Sequence, residues 1–184
     1  MLMRSLRFSI VFLVLCGLLY PLATTGLAQL FFPRQARGSL IQTASGQVVG
    51  SELIGQAFSG PAFFHGRISS VSYDASSSGS SNLAPSDPAL ADRVKADVAK
   101  WAAENPGQPA PADLLTNSAS GLDPDIAPAS ALAQVPRISR ATGHPEVQLN
   151  GLVAANIQGR TFGIFGEPRV NVLKLNLALQ QLPR

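Results

Sequence analysis

Cysteine is almost missing: Cys16 is the only one among 184 residues, and it lies inside an apolar run. The rest of the chain therefore has no disulfide framework and no thiolate metal site, and any core beyond that run must hold by packing alone. Histidine is nearly as scarce, with His65 and His144 too far apart in sequence for a helical or hairpin metal pair. Charged residues make up only 14% of the chain. The basic balance behind its net charge of +3 owes much to Arg4 and Arg7, which precede the apolar run. Beyond it the basic residues stand singly, with no cluster and no interleaved aromatics, so a surface that tracks nucleic-acid phosphates is excluded. A G-x-S-x-G elbow and a glycine-rich phosphate loop followed by lysine are also absent, which removes the usual hydrolase and nucleotide signatures.

No charge interrupts Phe8 to Pro33, and this is the longest such stretch. A helix rising about 1.5 Å per residue needs roughly 20 residues to cross a hydrocarbon core of about 30 Å, and Phe8 to Leu30 supplies them. Leu, Ile, Val and Phe outweigh Ser9, Gly17, Thr24, Thr25 and Gln29, so insertion is favourable, and Pro21 is expected to kink the span without ending it. A second reading takes Arg4 and Arg7 as the basic start of a signal peptide, Phe8 to Leu19 as its apolar centre and Gly26-Leu27-Ala28 as its cleavage site. Both readings send residues 31–184 across the membrane and keep the basic tail, residues 1–7, in the cytoplasm. Cys16 lacks the small preceding residue of a lipoprotein cysteine, because Leu15 stands there.

The remaining length suits one domain of mixed α+β class. Gly38 to Gln42 and Gln47 to Gly50 predict two short strands about a tight turn at Ala44-Ser45-Gly46. Leu53 to Arg67 is punctuated by glycine and proline, and its phenylalanines are expected to plug the core. Ser76 to Pro88 has the composition of a loop. A helix then runs from a Ser86 or Asp87 cap to Asn105, with Leu90, Val94, Val98 and Trp101 on its apolar stripe and Asp92, Arg93, Lys95, Asp97, Lys100 and Glu104 solvated. Asp113 to Thr116 predicts one further turn. Pro128 to Thr142 reads as a helix kinked or split by Pro136, with Arg137 and Arg140 on one side. Another short helix follows His144-Pro145-Glu146. From Arg169 to Leu179 the alternation favours a strand with one buried face, although Leu173 to Leu177 and Leu175 to Leu179 also have helical spacing, so a strand giving way to a final helix is the alternative.

Two polar, glycine-supported segments remain as candidate interaction or structural sites: His65-Gly66-Arg67, and the loop carrying Ser118, Ser120, Gly121 and Asp123. A satisfied histidine and an arginine paired with a carboxylate are the plain structural reading of the first. Asp123 and Asp125 suggest a calcium loop, yet its glycine and distal glutamate are absent, so Asx turns and capping are the expected use. Two rival functions are a serine hydrolase using Ser78 or Ser120 with His65, and a solute-binding module held at the membrane.

Together the motifs resemble a family: the KdpC subunit of the bacterial Kdp potassium-transporting ATPase. The resemblance is carried by Tyr20-Pro21-Leu22, Gly38-Ser39-Leu40-Ile41, Gly55-Gln56, Phe64-His65-Gly66-Arg67, Ser81-Asn82-Leu83, Ser118-Ala119-Ser120-Gly121-Leu122-Asp123-Pro124, Asn171-Val172 and Leu175-Asn176-Leu177. It adds Asn82, Asn171 and Asn176 to the candidate residues. Ser80 and Asn117 depart from the more usual Gly and Ala. The resemblance implies an uncleaved anchor in the inner membrane, with no catalytic residue, metal or cofactor of the chain's own. The implied partners are a channel-like potassium-translocating subunit, a P-type ATP-hydrolysing subunit, a small accessory peptide and the lipid bilayer. ATP and potassium are used by the complex. The family is also credited with a chaperone role that raises ATP affinity in the hydrolysing subunit, which no nucleotide motif in these residues supports.

Overall fold

The computed structural model describes residues 1–43 and 45–183, and the chain divides into two compact units at Ser51/Glu52. Ala44, in the expected turn, and Arg184 lie outside the described residues. The class is the expected α+β, with one amino-terminal apolar helix long enough to cross a membrane.

In the first unit α1 (Leu2–Val14), a π-helical turn (Leu15–Leu19) and α2 (Tyr20–Phe31) form an unbroken helical run of 30 residues. Arg4 and Arg7 ride its first turns. None of its side chains is buried by protein, so Phe8, Phe12, Leu18, Leu22 and Leu30 all face outward. Pro21 has no N–H for the Gly17 carbonyl, and the π turn re-registers the backbone just before it. Thr24 Oγ1 donates to the Tyr20 and Pro21 carbonyls at 2.9 and 3.1 Å, so its hydroxyl is spent within the helix. After a short α3 (Pro33–Ala36), β1 (Leu40–Gln42) and β2 (Val48–Ser51) pair antiparallel as the expected hairpin.

The second unit, Glu52 onward, opens with an irregular segment that holds Phe64 at its centre, fully buried. Helix α4 (Pro88–Glu104) begins where Asp87 accepts the Ala89 N–H at 2.9 Å, and Pro88 occupies the first turn. Its stripe is narrower than expected. Trp101 is buried, Leu90 and Val94 are half-buried, and Val98 is 41% exposed. Arg93 and Asp97 are correspondingly drawn in: Arg93 Nη1 donates to Asp97, the Leu115 carbonyl and Asn117 Oδ1, tying α4 to the turn after α5 (Ala112–Leu115).

Strands β3 (Asp125–Ile126), β4 (Ile157–Gln158) and β5 (Arg169–Asn171) make an antiparallel sheet with β5 central, pairing Ile126 and Ile157 with Val170. Helices α6 (Pro128–Thr142), α7 (Glu146–Ala155) and α8 (Val172–Gln180) pack with it. The core joins Ile126, Val135, Ile138, Leu149, Val153, Val170, Leu175 and Leu179 to Phe64 and Trp101. Pro136 does not split α6. The carbonyl deprived of its partner is that of Leu132, an exposed residue, where water can take the place of the missing N–H. Asp113 caps this helix from a distance, accepting the Ala127 N–H at 2.9 Å and the Ser130 hydroxyl.

The tail follows the second of the two readings, a strand giving way to a helix: strand geometry stops at Asn171 and the leucines that follow are helical. Asn171 is the switch, because its Oδ1 accepts the Lys174 N–H at 3.1 Å and caps α8. The apparent period of two was the overlap of helical spacings, with Leu175 and Leu179 buried on one face.

Candidate functional site

Two carboxamides clamp the backbone of Phe64 and His65, each pairing with both the N–H and the carbonyl of one residue. Asn176 on α8 takes the Phe64 N–H on Oδ1 at 2.8 Å and donates Nδ2 to the Phe64 carbonyl at 2.9 Å. Gln134 on α6 does the same for His65, at 2.8 and 3.1 Å. Both side chains are fully buried, as is Phe64, whose N–H and carbonyl would otherwise be orphans in the core.

Arg137, one turn along α6 and only 4% exposed, completes the clamp. Its Nε donates to Asn105 Oδ1 at 3.1 Å. Nη1 reaches the Gly60 and Pro61 carbonyls at 3.3 and 2.7 Å, and Nη2 reaches the Phe63 carbonyl and Gln134 Oε1 at 3.0 and 2.7 Å. All the donors of a guanidinium are thus committed to holding residues 60–65 and two side chains. The His65 ring donates Nε2–H to the Gly60 carbonyl at 2.8 Å, and Nδ1 lies 3.8 Å from a Glu104 oxygen. Burial, and next the Arg137 charge, hold the His65 imidazole below its ordinary value, so the ring is neutral near pH 7.

Arg67 bridges to the polar loop. Its Nη1 pairs with Asp123 Oδ2 at 2.9 Å and Nη2 donates to the Asn117 carbonyl at 3.1 Å, while the Tyr73 hydroxyl donates to the Arg67 carbonyl. A Cβ on Gly66 would stand 2.9 Å from that hydroxyl, which explains the glycine. Burial, then the Asp123 charge, raises the Tyr73 phenol and keeps it protonated as a donor. Ser118 donates its N–H to the Ile68 carbonyl at 2.8 Å and accepts the Gly121 N–H on Oγ at 3.0 Å. Ser120 accepts the Leu122 N–H on Oγ, and its carbonyl takes the Gly79 N–H and the Ser78 hydroxyl. Gly121, at φ +70°, has no room for a side chain, since a Cβ would meet Val71 Cγ2 at 2.5 Å and the Gly79 carbonyl at 2.8 Å. Asp123 Oδ1 accepts the Asp125 N–H, the expected Asx turn.

The fold therefore brings His65, Gly66 and Arg67 together with Ser118, Ser120, Gly121 and Asp123, and sets Asn176 behind them. Asn171 serves the cap and donates Nδ2 to the Glu52 carbonyl at 2.9 Å. Asn82 stands apart, exposed, with φ +49°, a left-handed backbone position that asparagine tolerates. Gln134, Arg137 and Asn105 belong to the cluster but were not singled out from the sequence. Their signal was present: Gln134 and Arg137 sit among Ala131, Val135 and Ile138 on the face of α6 that must be buried.

Along residues 2–181 the chain matches the family described as "KdpC: K+-transporting ATPase, c chain". It is a member of the KdpC family. Curated relatives agree over nearly the full length of both chains. The "Potassium-transporting ATPase KdpC subunit" of Methylobacterium nodulans is 57% identical, covering 92% of this chain and 90% of that one. Those of Bacillus cereus (strain B4264) and Methylorubrum extorquens are 53% and 51% identical, covering 96% and 99% of this chain and 93% and 99% of theirs.

The hydrogen bonds of this cluster run among its own side chains and backbone. Hydrogen bonds of the His65 ring go to the Gly60 carbonyl, and those of Ser78 and Ser120 go to backbone groups and to the Ser118 hydroxyl, so no serine–histidine pair is assembled among the described residues. Among the described residues no group of three His, Cys, Asp or Glu is arranged to hold a metal. A cleft of about 390 Å³ borders His65, Glu104, Arg137 and Arg140. With Arg137 saturated, Arg140 is the cation it offers to solvent.

Proposed function

We propose that this chain is a non-catalytic subunit of an ATP-driven potassium uptake complex, retained in the inner membrane by residues 8–30. Residues 1–7 lie in the cytoplasm and residues 31–184 on the opposite side. Its partners are a channel-like potassium-translocating subunit, a P-type ATP-hydrolysing subunit and a small accessory peptide. ATP and potassium are handled by the complex, and this chain has no cofactor of its own. The observation that carries this reading is the family match over residues 2–181, coupled to an apolar helix of membrane-crossing length. The way His65, Arg67, Gln134, Arg137 and Asn176 spend their hydrogen bonds on their own backbone supports a role in presenting shape to partners.

The finer role, raising the ATP affinity of the hydrolysing subunit, needs no contact with nucleotide. An exported domain that binds one conformational state of its partner better than another shifts ATP affinity by that difference, and a tenfold change needs about 1.4 kcal/mol. Complexes purified from gently solubilised membranes, with and without this chain, test both levels. The chain should co-purify with the ATPase subunits, and its removal should lose the complex or raise the KM for ATP. Full potassium-dependent turnover with an unchanged KM in its absence would refute the reading.

A further inference from the structure

The ten residues joining β4 to β5 carry the most exposed large apolar side chains of the second unit after Val147's neighbourhood is set aside: Phe162 is 89%, Ile164 72% and Phe165 65% exposed. This is a built feature. Thr161 and Phe165 exchange backbone hydrogen bonds at 2.8 and 3.0 Å, the Gly163 N–H reaches the Arg160 carbonyl at 3.0 Å, and Arg160 Nη2 grips both Glu167 oxygens at 3.0 and 2.9 Å across the base. Phe162 has φ +55°, a left-handed conformation that a bulky residue rarely adopts, and it gains no burial there. The tight turn accounts for the positive φ at Phe162 and at Gly163 (+74°), since the Ile164 N–H returns to the Thr161 carbonyl at 3.2 Å, but the fold of the chain itself does not explain why a bulky, exposed phenylalanine stands there.

We propose that Phe162, Ile164 and Phe165 form an apolar knob that seats in a dry, uncharged pocket of another protein subunit in the same membrane complex. The inference rests on the subunit role proposed above. Three considerations select that occupant. The rim is electrically neutral, because Arg160 and Glu167 cancel and Thr161, Gly163, Gly166 and Pro168 carry no charge, whereas segments that seat in anionic bilayers present a basic surplus. The tip uses Phe and Ile without the Trp or Tyr that mark the wet membrane interface, which fits a dry pocket. Its area is small: even at about 150–250 Å² for each large side chain, the three together fall short of the roughly 800 Å² that each partner buries in a stable complex. Such a contact is too small to recruit a free partner or a second copy. It suffices where a shared membrane already holds the two chains at high effective concentration.

The test uses the full chain in its own membranes, with p-benzoylphenylalanine in place of Phe162 and, separately, the double variant Phe162→Asp, Phe165→Asp. Irradiation should join position 162 to an ATPase subunit, and the double variant should keep the parent's thermal midpoint while its retention in the purified complex falls about tenfold or more. Cross-links only to lipid, only to a second copy, or to nothing overturn the proposal, as does a folded double variant retained like the parent. If the double variant misfolds, the cross-link alone decides. Should the unmodified chain bring down no ATPase subunit, the proposed function falls and takes the knob's partner with it. Normal co-purification with an indifferent loop removes only the knob.

Discussion

Asn176→Leu isolates the clamp on the aromatic step. Leucine matches asparagine in side-chain heavy-atom count and in branching at Cγ, although it is bulkier, and it suits a helix, so the change removes hydrogen bonds while leaving α8 its propensity. What it strands are the Phe64 N–H and carbonyl, which rest on Asn176 at 2.8 and 2.9 Å in a fully buried position. An unsatisfied buried backbone group costs about 1–3 kcal/mol, so two cost about 2–6 kcal/mol, offset by roughly 1 kcal/mol from burying a more apolar side chain. Against a typical stability of about 5–15 kcal/mol this is a large fraction. Trp101, the single tryptophan and itself buried in the same core, supplies the probe: denaturant unfolding of the detergent-solubilised full chain followed by its fluorescence. The midpoint should drop with little change in slope. A variant within about 0.5 kcal/mol of the parent would mean that the carboxamide is not what satisfies Phe64, and the clamp would have to be abandoned.

Three further outcomes follow from the same geometry. Arg67→Lys should cost about 1–3 kcal/mol in the same assay, because lysine lacks the planar fork whose two nitrogens reach Asp123 and the Asn117 carbonyl separately; equal stability would refute the bridging role. Trp101→Ala should cost about 3–5 kcal/mol, through lost packing and the lost bond from Nε1 to the Gln108 carbonyl at 3.0 Å; an intact fold with failed assembly would place Trp101 at an interface instead. His65 is held below its ordinary value of 6.5 chiefly by burial, so the unfolded chain binds a proton that the folded one resists. Its contribution is complete above about 6.5 and is lost as pH falls toward the folded value, and His65→Gln should flatten the fall in thermal midpoint across that window, which an unchanged slope would contradict.

Where local chemistry decides conformation, the sequence was legible. Asp87-Pro88 starts α4, Gly143 at φ +80° ends α6 after Thr142, and the hairpin stands between Leu40 and Ser51. The apolar helix and the carboxylate partner of Arg67 were equally readable. The clamps were not, because each joins residues far apart in the chain: Asn176 lies 112 residues from Phe64, and Gln134 69 from His65. The apolar stripe of α6 marks Gln134 as inward-facing, but nothing local says which distant backbone its carboxamide will satisfy. Arg137 was placed on one side of the helix with Arg140, yet the α6 stripe of Ala131, Val135 and Ile138 turns position 137 inward and leaves 140 outside. The alternation after Arg169 misled for a related reason: the Asn171 cap, not side-chain spacing, chooses helix over strand.

The polar core also bears on how such a subunit could work. With its only cysteine in the apolar helix, the second unit has no cross-link to fix the irregular backbone between Glu52 and α4. Apolar packing alone holds irregular backbone poorly, since packing is non-directional and loops leave backbone groups to satisfy. Carboxamides and guanidinium groups supply direction: Asn176, Gln134 and Arg137 each accept or donate along one geometry, and Ser118, Gly121 and Asp123 fix the facing loop in the same way. A loop ordered before association loses less entropy on docking, so the free energy spent on these clamps reappears as affinity for a partner that fits the prearranged surface. It follows that loosening the clamp, as in Asn176→Leu, should weaken assembly by more than any contact Asn176 makes itself, and that restoring stability elsewhere in the core should not by itself restore assembly.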